Sequence, residues 1–568
     1  LQPVDTMKYV CLLVSLISVT LVASDTGKGV PWIVKLNQGA VRGYKAPENK
    51  YYGFYGIPYA TAPTGLNKFK APLPAPKWTG IYEATTRNVI CPQGPLIKDM
   101  TKDKLHFISS EDCLNINIYV PDNEEKNLPV VVYVHGGAFQ VGFGEFISHT
   151  PLVNTGKVVV VNFNYRVGAH GFLCLGTENV PGNAGMKDQI AALRWVKDNI
   201  GKFHGNPNDV TLAGYSAGSV AVDLLMLSKS AQGLFNKVIP ESGSSLSVWS
   251  IQSDPIETAK EVALSLNFTN VDDLAALEHF YISTSLDIIL NDMFMERKDN
   301  TFVFVPCVEA PTSEESFLED SPINILKSGD FIKVPLLAGF AKDEGMLRLP
   351  FFDGWKNQLN ENFDIFLPSD LMFKNKEEKI RVANEVKKFY FGEKGVNNKT
   401  VSGYVNYISD VMFTYSTVKA IKLILEAGGD SVYLYQYSYY DETLPAIHEY
   451  KGASHCAQSF ALVEVNDITS TVLPTSNSKE YETVQNSLVD IWINFITTGK
   501  PMQENSSSPK HWPVASLEKF AYMDLNVELK LKYDLLKERV QFWDSIYNNY
   551  YRQPIPPKIR KVQAKTEL

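Results

Sequence analysis

The sequence lacks two features that would indicate other classes of protein: an excess of basic residues and a long apolar segment beyond the N-terminus. Lys and Arg total 54 against 63 Asp and Glu, the net charge is −9, and the only basic run is the short segment Lys558–Lys565. We therefore expect no nucleic-acid partner. Beyond the N-terminus, no segment reaches the roughly 18 apolar residues of a spanning helix, so we expect no stable membrane span. The chain is 45% hydrophobic, which is enough for a large core.

The N-terminus carries one apolar stretch. Met7 and Lys8 are followed by Tyr9–Val22 and then by small residues, a pattern typical of a secretory signal peptide. We expect 1–24 to be leader and signal peptide and 25–568 to be the mature protein, with an N-terminal anchor as the alternative. The protein is therefore predicted to enter the secretory pathway.

Cysteine is scarce, with six residues in 568. Cys11 would leave with the signal peptide. Cys91 and Cys113 bracket a polar loop. In the oxidising compartment that a signal peptide implies, this placement favours one disulfide bond between them. The remaining three lie among apolar or small residues and are expected to be free thiols: Cys174, Cys307 and Cys456.

Other features fit the same compartment. Three Asn-x-Ser/Thr sequons mark Asn267, Asn398 and Asn505 as candidate glycosylation sites. The C-terminal tetrapeptide, Lys565–Leu568, resembles an ER-retention signal with Thr in place of Asp. Retention in the ER lumen and release from the cell both stay open.

Short β-branched runs alternate with helical patterns along the chain. Runs of this kind are typical of buried parallel strands. They are Val130–Val134, Val158–Asn162, Val210–Ala213, Val334–Leu337 and Val432–Tyr437. Helices are predicted over Asp188–Asn199 and Ala217–Leu227. Strand–helix alternation without a linker predicts an α/β fold, with a large, mostly parallel central sheet flanked by helices in a single domain with insertions.

The sharpest motif is Gly-Tyr-Ser-Ala-Gly at 214–218, between a predicted strand and a predicted helix. A nucleophile elbow requires small flanking residues in this context, and it places the serine hydroxyl at a helix N-terminus. Ser216 is therefore the candidate nucleophile.

A serine nucleophile needs a histidine base, which a carboxylate usually orients. Four histidines follow Ser216, and His455 stands out because it lies in a small-residue loop after a predicted strand. The other three are expected to be surface or packing residues: His279, His448 and His511. Asp343 and Glu344 follow another predicted strand, and spacing alone does not separate them.

A second glycine-rich segment, His135–Phe139, follows the run that begins at Val130. Consecutive glycines expose backbone N–H groups, as an oxyanion hole requires, and the N–H of Ala217 after the nucleophile would join them. A tight turn is the alternative interpretation.

With these residues in place, the chain resembles the carboxylesterase/cholinesterase family of α/β-hydrolases, most of all insect carboxylesterases. The resemblance rests on the elbow, the Gly-Gly loop and further segments: Tyr55–Tyr59, Glu111–Asn117, Asn164–Arg166, Asn183–Gln189 and Glu241–Gly243. It implies that Ser216, Glu344 and His455 form the catalytic triad.

The resemblance also implies roles for neighbouring residues. Gly137, Ala138 and Ala217 match the oxyanion donors, and Ser242 matches a serine that steadies the acid and the histidine. Cys91 and Cys113 match the family's first disulfide. No metal or cofactor is implied.

Departures from the family narrow the substrate. The loop between Cys91 and Cys113 has no Trp, which weakens a choline-ester assignment. Tyr215 stands where juvenile-hormone esterases usually have Gln. We expect hydrolysis of small, fairly apolar carboxylic esters, such as odorant or pheromone acetates, dietary esters or xenobiotics. A juvenile-hormone esterase, a lipase and a non-catalytic adhesion relative are the alternatives.

Overall fold

We analysed a computed structural model of the chain. The residues that it describes are 29–46, 50–94, 107–290, 294–444, 446–463, 476, 478–502 and 511–558. The leader, the sequon at Asn505 and the C-terminal tetrapeptide lie outside these ranges.

One large mixed sheet organises the described residues. In chain order the strands are β1 Pro31–Lys35, β2 Ala40–Lys45, β3 Tyr51–Pro58, β4 Ile81–Glu83, β5 Val89–Ile90, β6 Ile108–Ser109, β7 Asn115–Pro121, β8 Leu128–Val134, β9 Val159–Phe163, β10 Gly205–Tyr215, β11 Lys237–Glu241, β12 Leu336–Ala341, β13 Val432–Tyr437, β14 Ala521–Leu525 and β15 Lys530–Tyr533. The order across the sheet is β1-β2-β3-β7-β9-β8-β10-β11-β12-β13-β14-β15, with β4 beside β2, and β5 pairs separately with β6.

Helices connect these strands. They are α1 Thr150–Val153, α2 Gly168–Phe172, α3 Ala184–Asn199, α4 Ala217–Leu227, α5 Pro255–Ser265, α6 Leu274–Ser283, α7 Leu286–Ile289, α8 Pro322–Ser328, α9 Phe352–Glu361, α10 Lys376–Phe391, α11 Val401–Ser409, α12 Tyr415–Glu426, α13 Ala457–Ala461, α14 Lys479–Thr498 and α15 Lys537–Tyr550. A π-helical turn, Asp410–Thr414, joins α11 to α12. No helix within the described residues has the length and apolar character needed to span a bilayer.

The parallel part of the sheet runs from β9 to β14. Strands β9, β11, β12 and β13 are buried at every position, which explains their continuous apolar runs, because helices cover both faces of such a sheet. In an open α/β sheet, sites form outside the carboxyl ends of the strands. Five neighbouring strands, β8, β10, β11, β12 and β13, end at that edge.

The predicted α/β fold is confirmed. The predicted strand over 432–437 and the predicted helix over 217–227 have the observed bounds, whereas β10 extends well beyond the predicted 210–213. The sequence analysis did not predict the antiparallel strands β1, β2, β3 and β7 at one side of the sheet.

Two disulfide bonds link described residues. Cys91 and Cys113 are paired, as expected. The prediction that Cys174 and Cys307 are free thiols was wrong, because they form a disulfide across 133 residues of sequence. Asn183 holds the Cys307 backbone there, donating to its carbonyl at 2.8 Å and accepting from its N–H at 2.9 Å. Cys456 is a free, buried thiol. Disulfides of this kind fit a protein of the secretory pathway.

Candidate active site

Ser216 lies in the sharp turn between β10 and α4. Its backbone has φ 55° and ψ −121°, a strained conformation of the kind that concentrates at functional sites. The two flanking glycines are sterically required. A Cβ on Gly214 would lie 2.5 Å from the Gly218 backbone, and one on Gly218 would lie 2.1 Å from the carbonyl oxygen of Val134. The Ser216 N–H donates to the Glu241 carbonyl at 2.9 Å, which ties the turn to β11.

The structure brings Ser216, His455 and Glu344 together. His455 Nε2 lies 3.0 Å from Ser216 Oγ, and His455 Nδ1 contacts Glu344 Oε2. Glu344 is fully buried, whereas the His455 side chain is 12% exposed. Ser216 is half-buried, so the serine side of the histidine is more exposed than the carboxylate side.

The adjacent carboxylate, Asp343, faces elsewhere. It accepts hydrogen bonds from Tyr450 Oη at 2.7 Å and from the Ala453 N–H at 3.1 Å. Its task is to hold the loop before His455. The geometry thus separates two residues that spacing left equivalent.

Among the described residues, no histidine other than His455 hydrogen-bonds Ser216 Oγ. His448 Nδ1 is 3.5 Å from a carboxylate oxygen of Asp353, and its side chain is 28% exposed. His279 and His511 are exposed. His135, buried in the Gly-Gly loop, contacts the carbonyl of the next residue through Nδ1 at 2.8 Å.

Three backbone N–H groups are available beside the serine. Gly137 has φ 116° and Ala138 has φ 57°, and Ala217 begins α4. Within the described residues, none of these N–H groups donates a hydrogen bond. Gly137 cannot carry a side chain, because its Cβ would lie 2.0 Å from the carbonyl oxygen of Val141. The arrangement suits stabilisation of a developing oxyanion.

Ser242 supports the buried glutamate. Its Oγ donates to Glu344 Oε1 and accepts from Gln458 Nε2 at 2.7 Å. The Ala341 N–H donates to the same glutamate oxygen at 2.7 Å. Sequence reasoning missed Gln458, which lies in α13 three residues after the histidine.

Two further residues touch the histidine. Cys456 Sγ lies 3.3 Å from His455 Nε2, and burial raises the pKa of this thiol well above its usual value, so the thiol stays protonated. The Phe413 ring packs on the imidazole at 4.3 Å between centroids. Phe413 belongs to the π-helical turn, and turns of this type often occur at functional sites.

The remaining predicted sites are the candidate glycosylation sites. Asn267 and Asn398 are exposed. Among the residues that the structure describes, no group of three or more His, Cys, Asp or Glu side chains could hold a metal ion.

The serine contacts a histidine, and the histidine contacts a buried glutamate. This arrangement at the carboxyl edge of a mostly parallel sheet defines an α/β-hydrolase. Comparison with known proteins gives the family. The sequence model of the Carboxylesterase family matches residues 31–543. The chain belongs to the carboxylesterase family, and ester hydrolysis is its activity.

Individual relatives also support membership of the carboxylesterase family. The chain is 32% identical to esterase FE4 of Myzus persicae, covering 86% of this chain and 87% of the relative. It is 32% identical to a juvenile hormone esterase of Heliothis virescens, covering 85% and 88%. It is similar in structure to the juvenile hormone esterase of Manduca sexta, with a TM-score of 0.79, 27% identity and coverage of 91% and 100%.

Proposed function

We propose that Ser216 is the nucleophile, His455 the general base and acid, and Glu344 the carboxylate that orients the histidine. The carrying observation is the continuous contact from Ser216 Oγ through the imidazole to Glu344. Serine hydrolases on unrelated folds use the same relation of nucleophile, base and orienting acid.

The reaction has two halves. Ser216 Oγ attacks the ester carbonyl while His455 Nε2 takes its proton, and Gly137, Ala138 and Ala217 stabilise the oxyanion through their N–H groups. The imidazolium then protonates the leaving alcohol, which leaves an acyl-enzyme. Water, activated by the same histidine, releases the acid.

Small, fairly apolar esters suit the surroundings of the histidine. Phe413 packs on His455, and Trp249 lies behind it with its ring centroid 5.8 Å from that of Phe413. Phe302 lies 5.4 Å from Trp249. All three rings belong to the buried core, so the histidine borders an apolar region, which favours apolar acyl or alcohol groups over charged ones.

A juvenile-hormone esterase is the second candidate. The similarity to juvenile hormone esterases from two moths favours it. Tyr215, in place of the usual Gln, argues for a more general esterase. A panel that includes a short-chain acetate, a long-chain ester and a juvenile-hormone ester decides between them, with the highest kcat/KM expected for the acetate.

We further propose that the protein is a glycoprotein of the secretory pathway. The two disulfides and the exposed sequons at Asn267 and Asn398 support this proposal. Expression in insect cells, with assay of medium and cell fractions, separates release from retention in the ER.

Substitution of the serine tests the proposed roles. We expect Ser216→Ala to lower kcat on phenyl acetate by about 10⁵-fold or more, since triad members act as a unit. The control, Ser328→Ala, changes an exposed serine at the end of α8 and should keep full activity. A Ser216→Ala protein that retains substantial activity would overturn the assignment.

A further inference from the structure

We propose that Glu241 is a positioning residue of the active site, a second buried carboxylate that stabilises positive charge on His455 during the reaction. The proposal rests on the assignment of His455 as the general base. It adds an acidic residue that does not contact the substrate.

Glu241 lies at the structural junction of the site. It is the last residue of β11, and in the sheet it is paired with Tyr215 of β10 and with Gly339 of β12. Its carbonyl accepts from the Ser216 N–H at 2.9 Å. The next residue, Ser242, donates to Glu344. One dipeptide therefore fixes both the nucleophile and the acid.

The side chain of Glu241 is held from the histidine side. Ser459 Oγ, on α13 directly after the histidine loop, donates to Glu241 Oε2 at 2.5 Å. The neighbouring Gln458 donates to Ser242 at 2.7 Å. Two adjacent residues of α13 thus bind two adjacent residues at the end of β11, and these contacts set the position of His455 relative to Ser216.

The polar groups around Glu241 are donors. Tyr435 of β13 donates to Oε1. Tyr133 of β8 and Trp492 of α14 also interact with Glu241, and both side chains are buried. A carboxylate that is surrounded by donors is favoured in its ionised form.

No permanent cation faces this carboxylate within the part of the chain that the structure describes. The titratable groups around it are the two tyrosines, Glu344 and the thiol of Cys456. Glu241 itself is fully buried. Ser242 and Glu344 connect this region to His455, the member of the proposed triad that gains a positive charge during the reaction, and charges interact strongly in a low-dielectric site.

The charge of Glu241 changes in the range where esterases work. Burial is the main reason that the pKa of Glu241 is raised to about 7; hydrogen bonds from Ser459, Tyr435 and Trp492 lower it, and the charge of Glu344 raises it. Loss of this proton adds a negative charge near Glu344 and His455, which makes the imidazole a stronger base.

Glu241→Gln tests the proposal, because glutamine keeps the shape and cannot ionise. The measurement is kcat/KM for phenyl acetate across pH, given as the ratio of wild type to variant. We expect a ratio within about twofold near pH ~5.5 that rises to about tenfold above pH ~8, the effect of about one pKa unit on the base. A ratio that does not change with pH overturns the proposal.

Asp223→Asn is the matched control. Asp223 is also a buried carboxylate with a raised pKa, but it bonds Ser244 and Ser245 rather than the histidine helix. Its ratio should stay constant with pH. A ratio for Asp223→Asn that rises as the Glu241→Gln ratio does would overturn the proposal.

If Glu241→Gln does not fold, Ser459→Ala tests the proposed role of Glu241 instead. Loss of this donor raises the pKa of Glu241, so the rise in activity should move to higher pH, and an unmoved profile overturns the proposal. Failure of the triad assignment would look different, because Ser216→Ala would then remain active whatever the result at Glu241.

Discussion

Asp188 and the pair Glu241–Glu344 are buried to the same degree, but only Asp188 has a permanent cation beside it. Arg166 donates to both Asp188 oxygens, at 2.8 Å from Nε and 2.7 Å from Nη2. Its remaining N–H groups donate to backbone carbonyls, including that of Lys68 at 3.0 Å. The two charges of this pair therefore neutralise each other within the fold.

At the active site the charges are not neutralised in the same way. Glu344 is held by Ser242 and by a backbone N–H, and its other oxygen contacts His455; no permanent cation faces either glutamate within the described residues. Backbone strain is concentrated there as well, with positive φ at Ser216, Ser242, Ala138 and Cys456. On the proposal made above, complete charge pairing stabilises the fold at Asp188, whereas the unpaired carboxylates stabilise a cation that exists only during the reaction.

The largest expected effect is on kcat, and it comes from substitution of the adjacent carboxylates Asp343 and Glu344. We expect Glu344→Gln to lower kcat by a few orders of magnitude, since the analogous neutralisation in serine proteases costs about 10⁴. Asp343→Asn should stay within about tenfold of wild type, because Asp343 bonds Tyr450 and Ala453. Steady-state kinetics on phenyl acetate measures both. The reverse ranking would transfer the role to Asp343.

Next in size is the effect of the paired region on stability. We expect Asp188→Asn to lower the free energy of unfolding by about 3–5 kcal/mol, because Arg166 would be left buried without its anion. Urea unfolding measures the loss. The control, Glu315→Gln, breaks an exposed pair with Arg194 and should cost less than about 1 kcal/mol. Equal costs would contradict the claimed difference between the two regions.

The smallest expected effect concerns the stability of the unpaired region. Burial raises the pKa of Glu241 from the ordinary 4.5 to about 7. The stability that this group contributes is therefore fully present below about 4.5 and is lost as the pH rises through about 7.

Glu241→Gln should consequently become more stable relative to wild type as the pH rises through this window. The gain is about 3 kcal/mol at most, the equivalent of the pKa shift. Thermal unfolding at acidic and alkaline pH measures it. If the stability difference between variant and wild type is the same at both pH values, the pKa of Glu241 is not raised by folding.

The fold and the contacts among Ser216, His455 and Glu344 could be predicted because their signals are local or carried by a family pattern. The elbow at 214–218 is a strand, a tight turn and a helix within one segment. The histidine lies in a small-residue loop. Spacing could not choose between Asp343 and Glu344, because both side chains are close to the loop that carries His455; only the family pattern pointed to Glu344.

The parts that could not be predicted depend on contacts between distant segments. Cys174 and Cys307 are 133 residues apart. Their apolar sequence neighbours are typical of free thiols, so the local pattern does not indicate a disulfide bond. Glu241 is an ordinary glutamate in the sequence, and its burial and its donors come from β13 and α13. Cys456 directly follows His455 in the sequence, but its 3.3 Å contact with the imidazole depends on the positive φ of the loop.

Covalent labelling tests the central claim most directly. A fluorophosphonate probe, which mimics the tetrahedral intermediate, followed by mass spectrometry of the labelled peptides, reports the nucleophile without assuming a substrate. We expect one label per chain, on Ser216, and a much slower reaction in His455→Ala. A label on a different serine, or one that persists in Ser216→Ala, would contradict the assignment of this site.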